Sequence, residues 1–181
     1  MFKYIFQNIS NKNRNRLSIT LLVLLLISIV VMRYFDSFLV TEVSENGIVS
    51  FELAKELSKS EQIINAWDDH AKYAAGLSLG FDFFFLIIYA SFLAMLIFQI
   101  NNQLFLKSKY NYFKNVLFLL PFIAAFFDVL ENIMLIKLLL GDLQQKWSTM
   151  AYYFAFIKFG LLIIAISYIV VGAVIIFKKR K

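Results

Sequence analysis

Residues 115–140 read NVLFLLPFIAAFFDVLENIMLIKLLL, and this stretch decides the fold. It is long enough to cross a bilayer as a helix, which requires about 20 mostly apolar residues. Near its middle it nevertheless carries Asp128, Glu131 and Asn132. A carboxylate at that depth costs about 2.5–3.5 kcal/mol on insertion scales. Because residues three and four positions apart share a helix face, these side chains form one strip that requires polar partners from elsewhere in the chain.

The composition of the 181-residue chain predicts an all-α integral membrane protein. Hydrophobic residues make up 61% of the sequence and aromatic residues 18%, and the mean hydropathy is +0.73. Soluble domains contain about 45–50% apolar residues. We therefore expect residues 1–181 to form a single membrane domain without a second, soluble one. The absence of cysteine excludes disulfides, thiolate nucleophiles and cysteine metal sites.

Four apolar segments are predicted to span the membrane as one helical bundle. They cover about residues 17–35, 77–100, 115–140 and 149–177. The first follows a basic segment, as the apolar core of a signal peptide also does. Since no small-residue cleavage site follows it, an uncleaved anchor is favoured.

An acidic region, about residues 41–76, lies between the first and second predicted spans. We expect one or two short amphipathic helices there, at about 50–57 and 61–75. Ser60 is the expected N-cap of the second helix, and Trp67 is expected in the headgroup zone. This loop either rests on the membrane surface or on the bundle, or forms a lid over an opening between spans.

The basic residues predict a topology. The N-terminal tail carries four Lys and Arg residues, the 101–114 loop three and residues 178–181 four. Short basic segments favour the cytoplasmic side. With four spans, both termini are therefore expected in the cytoplasm and the 41–76 loop outside, in a plasma (inner) membrane protein. No stretch interleaves aromatic and basic residues as a nucleic-acid groove does, so no nucleic-acid partner is expected.

Polar side chains from three spans are predicted to meet in the outer half of the membrane. A helix rises about 1.5 Å per residue, so Asp82 and Lys158 are expected at a depth in the membrane similar to that of Glu131. Tyr89 lies two turns below Asp82 on the same face. The predicted ligand-binding residues are Asp82, Tyr89, Asp128, Glu131, Asn132 and Lys158.

The simplest pairing places Lys158 between Glu131 and either Asp128 or Asp82. Three acids against one base leave an excess of carboxylate, which requires a proton, water, a cation or a cationic ligand. Intramembrane polar groups also join helices structurally, at about 0.6 kcal/mol on average. Five polar groups from three helices at one depth favour a functional pocket over structural pairing alone.

Other motifs are few. His70 has no further ligands nearby in the sequence, so no metal site is expected, and no motif indicates a cofactor. Lys137 and Arg33 lie near span ends, where long basic side chains reach the headgroups.

Three functions remain open at this level. The first is binding or transport of a small ligand, such as a proton, a cation or an amphiphile, in the polar pocket. The second is a membrane-embedded enzyme for a lipid or isoprenoid, with Asp128 or Glu131 as general acid/base and Lys158 tuning it. The third is an oligomeric effector whose polar face lines an intersubunit pore. Membrane lipids are expected partners in all three, and homo-oligomerisation stays open.

Overall fold

The computed structural model describes residues 10–104 and 111–180, and in those ranges the chain is helical and contains no strand. Six helices follow in order: α1 (Asn11–Asp36), α2 (Ile48–Glu52), α3 (Leu57–Ala66), α4 (Asp69–Leu104), α5 (Asn111–Leu139) and α6 (Gln145–Arg180). Four of them are long and apolar enough to cross a membrane, with mean window hydropathies of 2.0 to 2.8. The prediction of four long apolar helices is confirmed, and a multi-pass membrane protein is indicated. Lys3, Lys107, Lys109 and Lys181, which contribute to the predicted topology, lie outside the described residues.

The four long helices differ in how much of their surface is buried. Half of the most apolar window of α4 (50%) and nearly as much of that of α5 (44%) lies inside the protein, against 11% for α6 and 6% for α1. Helix α5 packs mainly on α6 and α4, and α1 packs on α4. Helices α4 and α5 therefore form the centre, and α1 and α6 leave broad apolar faces uncovered.

Residues 37–68, which we call the cap, cover the end of the bundle where α1 ends and α4 begins. Its buried apolar side chains contact those at the end of α5 and the start of α4. They include Leu39, Ile48, Phe51, Ile63 and Trp67. The start of α6 joins the same end, since Ser60 Oγ lies 2.6 Å from Ser148 Oγ and the Leu57 N–H donates to Gln145 Oε1.

The cap helices differ from those predicted. Helix α2 ends at Glu52 rather than at residue 57, and residues 69–75 belong to α4. Ser60 is not an N-cap, because it lies buried within α3. Trp67 is not at the surface: it is buried, and its indole N–H donates to the Leu39 carbonyl at 3.0 Å. The Trp67 side chain therefore packs within the cap and does not lie in the headgroup zone, where the sequence predicted it.

Asp36 fastens the cap to α1 at a sharp turn. Its Oδ1 accepts the N–H of Ile48, the first residue of α2, at 2.8 Å. Gly47 precedes Ile48 with φ of +56°, and a Cβ at this position would overlap the Asp36 carboxylate. Only glycine gives both the positive φ and the close approach.

Replacing Gly47 with alanine is expected to loosen the cap. An L-residue held at this φ costs about 1–3 kcal/mol, and the overlap with Asp36 adds to that. The melting temperature of purified Gly47→Ala in detergent micelles, followed by circular dichroism, should fall below that of the wild type. Gly160→Ala is the matched control, because Gly160 is helical and a Cβ there meets open space. Equal melting temperatures for the two variants would contradict this account of the turn.

Candidate functional site

Lys158 lies at the centre of a buried cluster of acids. Its Nζ is 2.8 Å from Glu131 Oε2, 3.1 Å from Asp128 Oδ1 and 3.6 Å from Glu52 Oε2. The lysine is 6% exposed, and Glu131 is fully buried. An ammonium group so far from water is tolerated only with charged or hydrogen-bonding partners, which these three carboxylates supply.

Helix α5 supplies three polar side chains from one face. Asp128, Glu131 and Asn132 are 3%, 0% and 1% exposed. On the other side of the same turns, Phe126 is 58% exposed and Ile133 is 38% exposed. The spacing i, i+3, i+4 thus turns the polar strip inward and leaves apolar side chains on the outer surface.

Helix α4 completes the cluster through two side-chain hydrogen bonds. The Tyr89 hydroxyl donates to Asp128 Oδ2 at 2.8 Å, and the Asn132 amide donates to Asp82 Oδ2 at 2.6 Å. The structure therefore brings together all six residues that the sequence singled out. Of the two alternatives for the second partner of Lys158, it selects Asp128. Within the described residues, Asp82 has no Lys or Arg nitrogen within 4.0 Å.

Glu52 of the cap also belongs to the cluster, although it was not among the site residues predicted from the sequence. An amphipathic helix continuing to residue 57 would bury Leu53 and expose Glu52. Because α2 ends at Glu52, Leu53 is 41% exposed and Glu52 is 9% exposed. Burial raises the pKa of the Glu52 carboxyl above its ordinary value of 4.5, and the nearby Lys158 ammonium opposes that shift. The excess of acid is therefore larger than expected, at four carboxyls to one lysine.

Several oxygens of the cluster are not satisfied by hydrogen bonds. Glu52 Oε2 and both carboxylate oxygens of Glu131 are buried and accept no hydrogen bond from the described part of the chain. Two of these oxygens instead pair with the Lys158 ammonium, Glu131 Oε2 at 2.8 Å and Glu52 Oε2 at 3.6 Å. The Glu52 and Glu131 carboxyls therefore share one ammonium group rather than each having a cation of its own.

A cleft of about 350 Å³ opens beside the cluster. Its lining residues come from α1, α2, α4 and α6, together with Asp128 of α5. They are Leu25, Met32, Ile48, Val49, Glu52, Asp82, Phe85, Tyr89, Leu93, Asp128, Lys158, Phe159, Leu162 and Ile166. The polar members lie toward the cap, while Leu93, Leu162 and Ile166 follow deeper along their helices. The cleft thus has a charged end and an apolar wall.

A second cleft, of about 440 Å³, lies next to the first under the cap. The two clefts share four lining residues, Met32, Ile48, Val49 and Phe85. Arg33, Glu45 and Asn46 line the second cleft on its outer side. The charged end of the first cleft therefore lies close to a polar opening at the surface of the protein.

The remaining residues noted in the sequence lie apart from the cluster. His70 is exposed, with its ring 4.7 Å from that of Phe38. The Lys137 ammonium lies 4.6 Å from the Trp147 ring centroid and 4.0 Å from Asp142. Arg33 is exposed and lies 3.8 Å from Asp36. Across the described ranges, no three His, Cys, Asp or Glu side chains are arranged to hold a metal ion.

Comparison of the chain with family models, with curated proteins and with solved structures found no match. The chemistry of the cluster and the shape of the cleft therefore carry the functional argument.

Replacing Lys158 with methionine is expected to destabilise the protein strongly. Removing one partner of a buried ion pair costs about 3–5 kcal/mol, because the other charge stays buried without compensation. Adding Glu131→Gln to Lys158→Met should recover part of the lost melting temperature, since it removes one uncompensated carboxylate. The measurement is thermal unfolding of the purified variants in detergent micelles.

Lys137→Met is the matched control for that experiment. The Lys137 side chain is 42% exposed, and an exposed ion pair contributes about 0–1 kcal/mol. Equal losses for Lys158→Met and Lys137→Met would show that the buried cluster does not stabilise the fold.

Proposed function

We propose that this chain binds or transports a small ligand in an intramembrane pocket formed by the cluster around Lys158. It acts as a single membrane domain in the plasma membrane, with both termini in the cytoplasm, and the pocket lies in the outer half of the bilayer. The cleft carries the proposal, since one continuous surface presents Glu52, Asp82, Asp128 and Lys158 together with an apolar wall. Ligand sites are commonly apolar cavities with a few polar groups that orient the ligand.

The energetics of the cluster support a functional role. A structural ion pair between helices would require one acid and one base, whereas this cluster buries four acids with one lysine. Each additional carboxylate is expensive at membrane depth, and ionisable residues there commonly mark ion, proton or substrate pathways. The unsatisfied oxygens of Glu52 and Glu131 point in the same direction.

A second candidate is a membrane-embedded enzyme acting on a lipid or isoprenoid. The contacts Tyr89–Asp128–Lys158–Glu131 support it, because they connect groups that can exchange a proton beside the cleft. In that case Asp128 or Glu131 is the general acid/base and Lys158 adjusts its proton affinity. Turnover of a lipid substrate by the purified protein would separate this function from binding. The third candidate, a pore between subunits, has less support, since Asp128 and Glu131 face the interior of one chain.

The proposed orientation can be tested directly, because the native chain contains no cysteine. Single cysteines at the exposed positions Asn46 and Gln144 should react with a membrane-impermeant maleimide in intact cells. A cysteine at the exposed position Asn15 should react only after the cells are lysed. Labelling of Asn15→Cys in intact cells, with protection of the other two, would reverse the topology.

Ligand binding is tested by mass spectrometry of molecules released from protein purified in native-lipid particles. The wild type should carry a molecule that Leu162→Trp lacks, because a tryptophan at this position fills the apolar wall of the cleft. Ile163→Trp is the matched control: its side chain is the next along α6, is 65% exposed and does not line the cleft. It should retain the molecule. Identical small-molecule content in all three proteins would exclude a ligand in this cleft.

A further inference from the structure

The charges of the cluster leave room for a second cation. Lys158 contacts Glu131, Asp128 and Glu52, but Asp82 receives only the Asn132 amide from the contacts above. In the described part of the chain, no other Lys or Arg nitrogen lies within 4.0 Å of these carboxylates. Glu52 and Asp82 both line the cleft, so a cation there would meet carboxylates from the cap and from α4.

A weakly paired buried carboxyl is a second indication of a ligand at this end of the cleft. Glu52 is 9% exposed, its Oε2 accepts no hydrogen bond from the described residues, and its contact with Lys158 is a long 3.6 Å. This oxygen belongs to a lining side chain of the cleft. A ligand ammonium beside the Glu52 carboxyl would add a second positive charge to one that meets Lys158 only at 3.6 Å, and charged donors form the strongest hydrogen bonds to carboxylates.

The apolar wall indicates that the cation carries a hydrocarbon chain. Along α6 the lining extends from Lys158 through Leu162 to Ile166, which is eight residues, or about 12 Å. Leu25 of α1 and Leu93 of α4 face the same space. A free proton or a small inorganic ion would use the charged end alone, whereas an amphiphile would cover the wall as well, at about 25 cal/mol per Å² of apolar surface buried.

We propose that the cleft binds a single-chain amphiphile with a primary ammonium head. The head lies between Glu52 and Asp82, and the chain follows the wall formed by Leu93, Leu162 and Ile166. This inference rests on the proposed function, of which it names the ligand class. Helices α1 and α6 form the two sides of the cleft and have mostly lipid-accessible surfaces, so the chain reaches its wall from the bilayer.

The test uses full-length protein in phosphatidylcholine nanodiscs, with dodecylamine and dodecanol as the probes. The two probes share a chain, but the amine is protonated at neutral pH because amines of this type have a pKa near 10.4. Binding is measured by native mass spectrometry as probe retained above that of empty nanodiscs. The wild type should retain dodecylamine in preference to dodecanol.

Three variants locate the head. Glu52→Gln should weaken dodecylamine binding about tenfold or more, the expected loss for one charge-assisted hydrogen bond. Asp82→Asn should weaken it similarly, which keeps the test informative if Glu52→Gln folds poorly. Glu42→Gln is the matched control, since Glu42 is an exposed glutamate of the cap that does not line the cleft. It should bind as the wild type does.

The outcomes separate this inference from the proposed function. Equal retention of both probes by the wild type, with loss of both in Leu162→Trp, would overturn the ammonium head and leave a ligand cleft in place. Retention of neither probe by the wild type, together with no released native molecule, would reject both proposals. Preferential retention of dodecylamine that is lost in Glu52→Gln and kept in Glu42→Gln would establish the head site.

Discussion

The contact of the Lys158 ammonium with Glu131, Asp128 and Glu52 is the interaction on which the arrangement of this protein depends. It joins α6 to α5 and joins both helices to the cap. Without the lysine, the carboxylates would lie at membrane depth with no cation among the described residues. Buried charges are stable only in such compensated groups, so the rotations of α5 and α6 about their axes are coupled to each other.

The cap is held by two kinds of contact that act in different places. Phe51, Ile63 and Trp67 pack in one apolar cluster with side chains at the start of α4 and the end of α5. The Glu52–Lys158 contact instead connects the cap to the middle of α6. The charged cluster therefore also holds the cap, and Ile48, Val49 and Glu52 of the cap line one side of the cleft.

Much of the fold could be predicted from the sequence, because the apolar segments are long and the polar residues within them recur at helical spacing. Four apolar stretches predicted four helices, and the spacing of Asp128, Glu131 and Asn132 predicted one buried face. Depth counted along each helix brought Asp82 and Lys158 to the same level as that face. Counting residues along the helices does not give the rotation of α4 about its axis. The sequence therefore could not distinguish Asp128 from Asp82 as the second partner of Lys158.

Predictions in the cap failed where contacts distant in sequence decide the structure. Glu52 has the local pattern of a solvated residue, yet α2 ends there and turns it toward Lys158, which is far away in the chain. Trp67 and Ser60 are also buried in contact with residues distant in sequence. Trp67 donates a hydrogen bond to the Leu39 carbonyl, and the Ser60 hydroxyl pairs with that of Ser148. A window of ten residues contains none of these partners.

Lys158 follows its carboxylate partners in the sequence, and this order has a consequence for folding during synthesis. Glu52, Asp128 and Glu131 all precede it in the chain, so a ribosome synthesises all three acids before their shared cation. During that interval the hydrogen bonds from Tyr89 to Asp128 and from Asn132 to Asp82 can already form between α4 and α5, but no cation among the described residues compensates these carboxyl groups. The apolar helices can insert one after another, but Glu52, Asp128 and Glu131 gain their lysine contact only when α6 arrives, and α6 therefore completes the cluster.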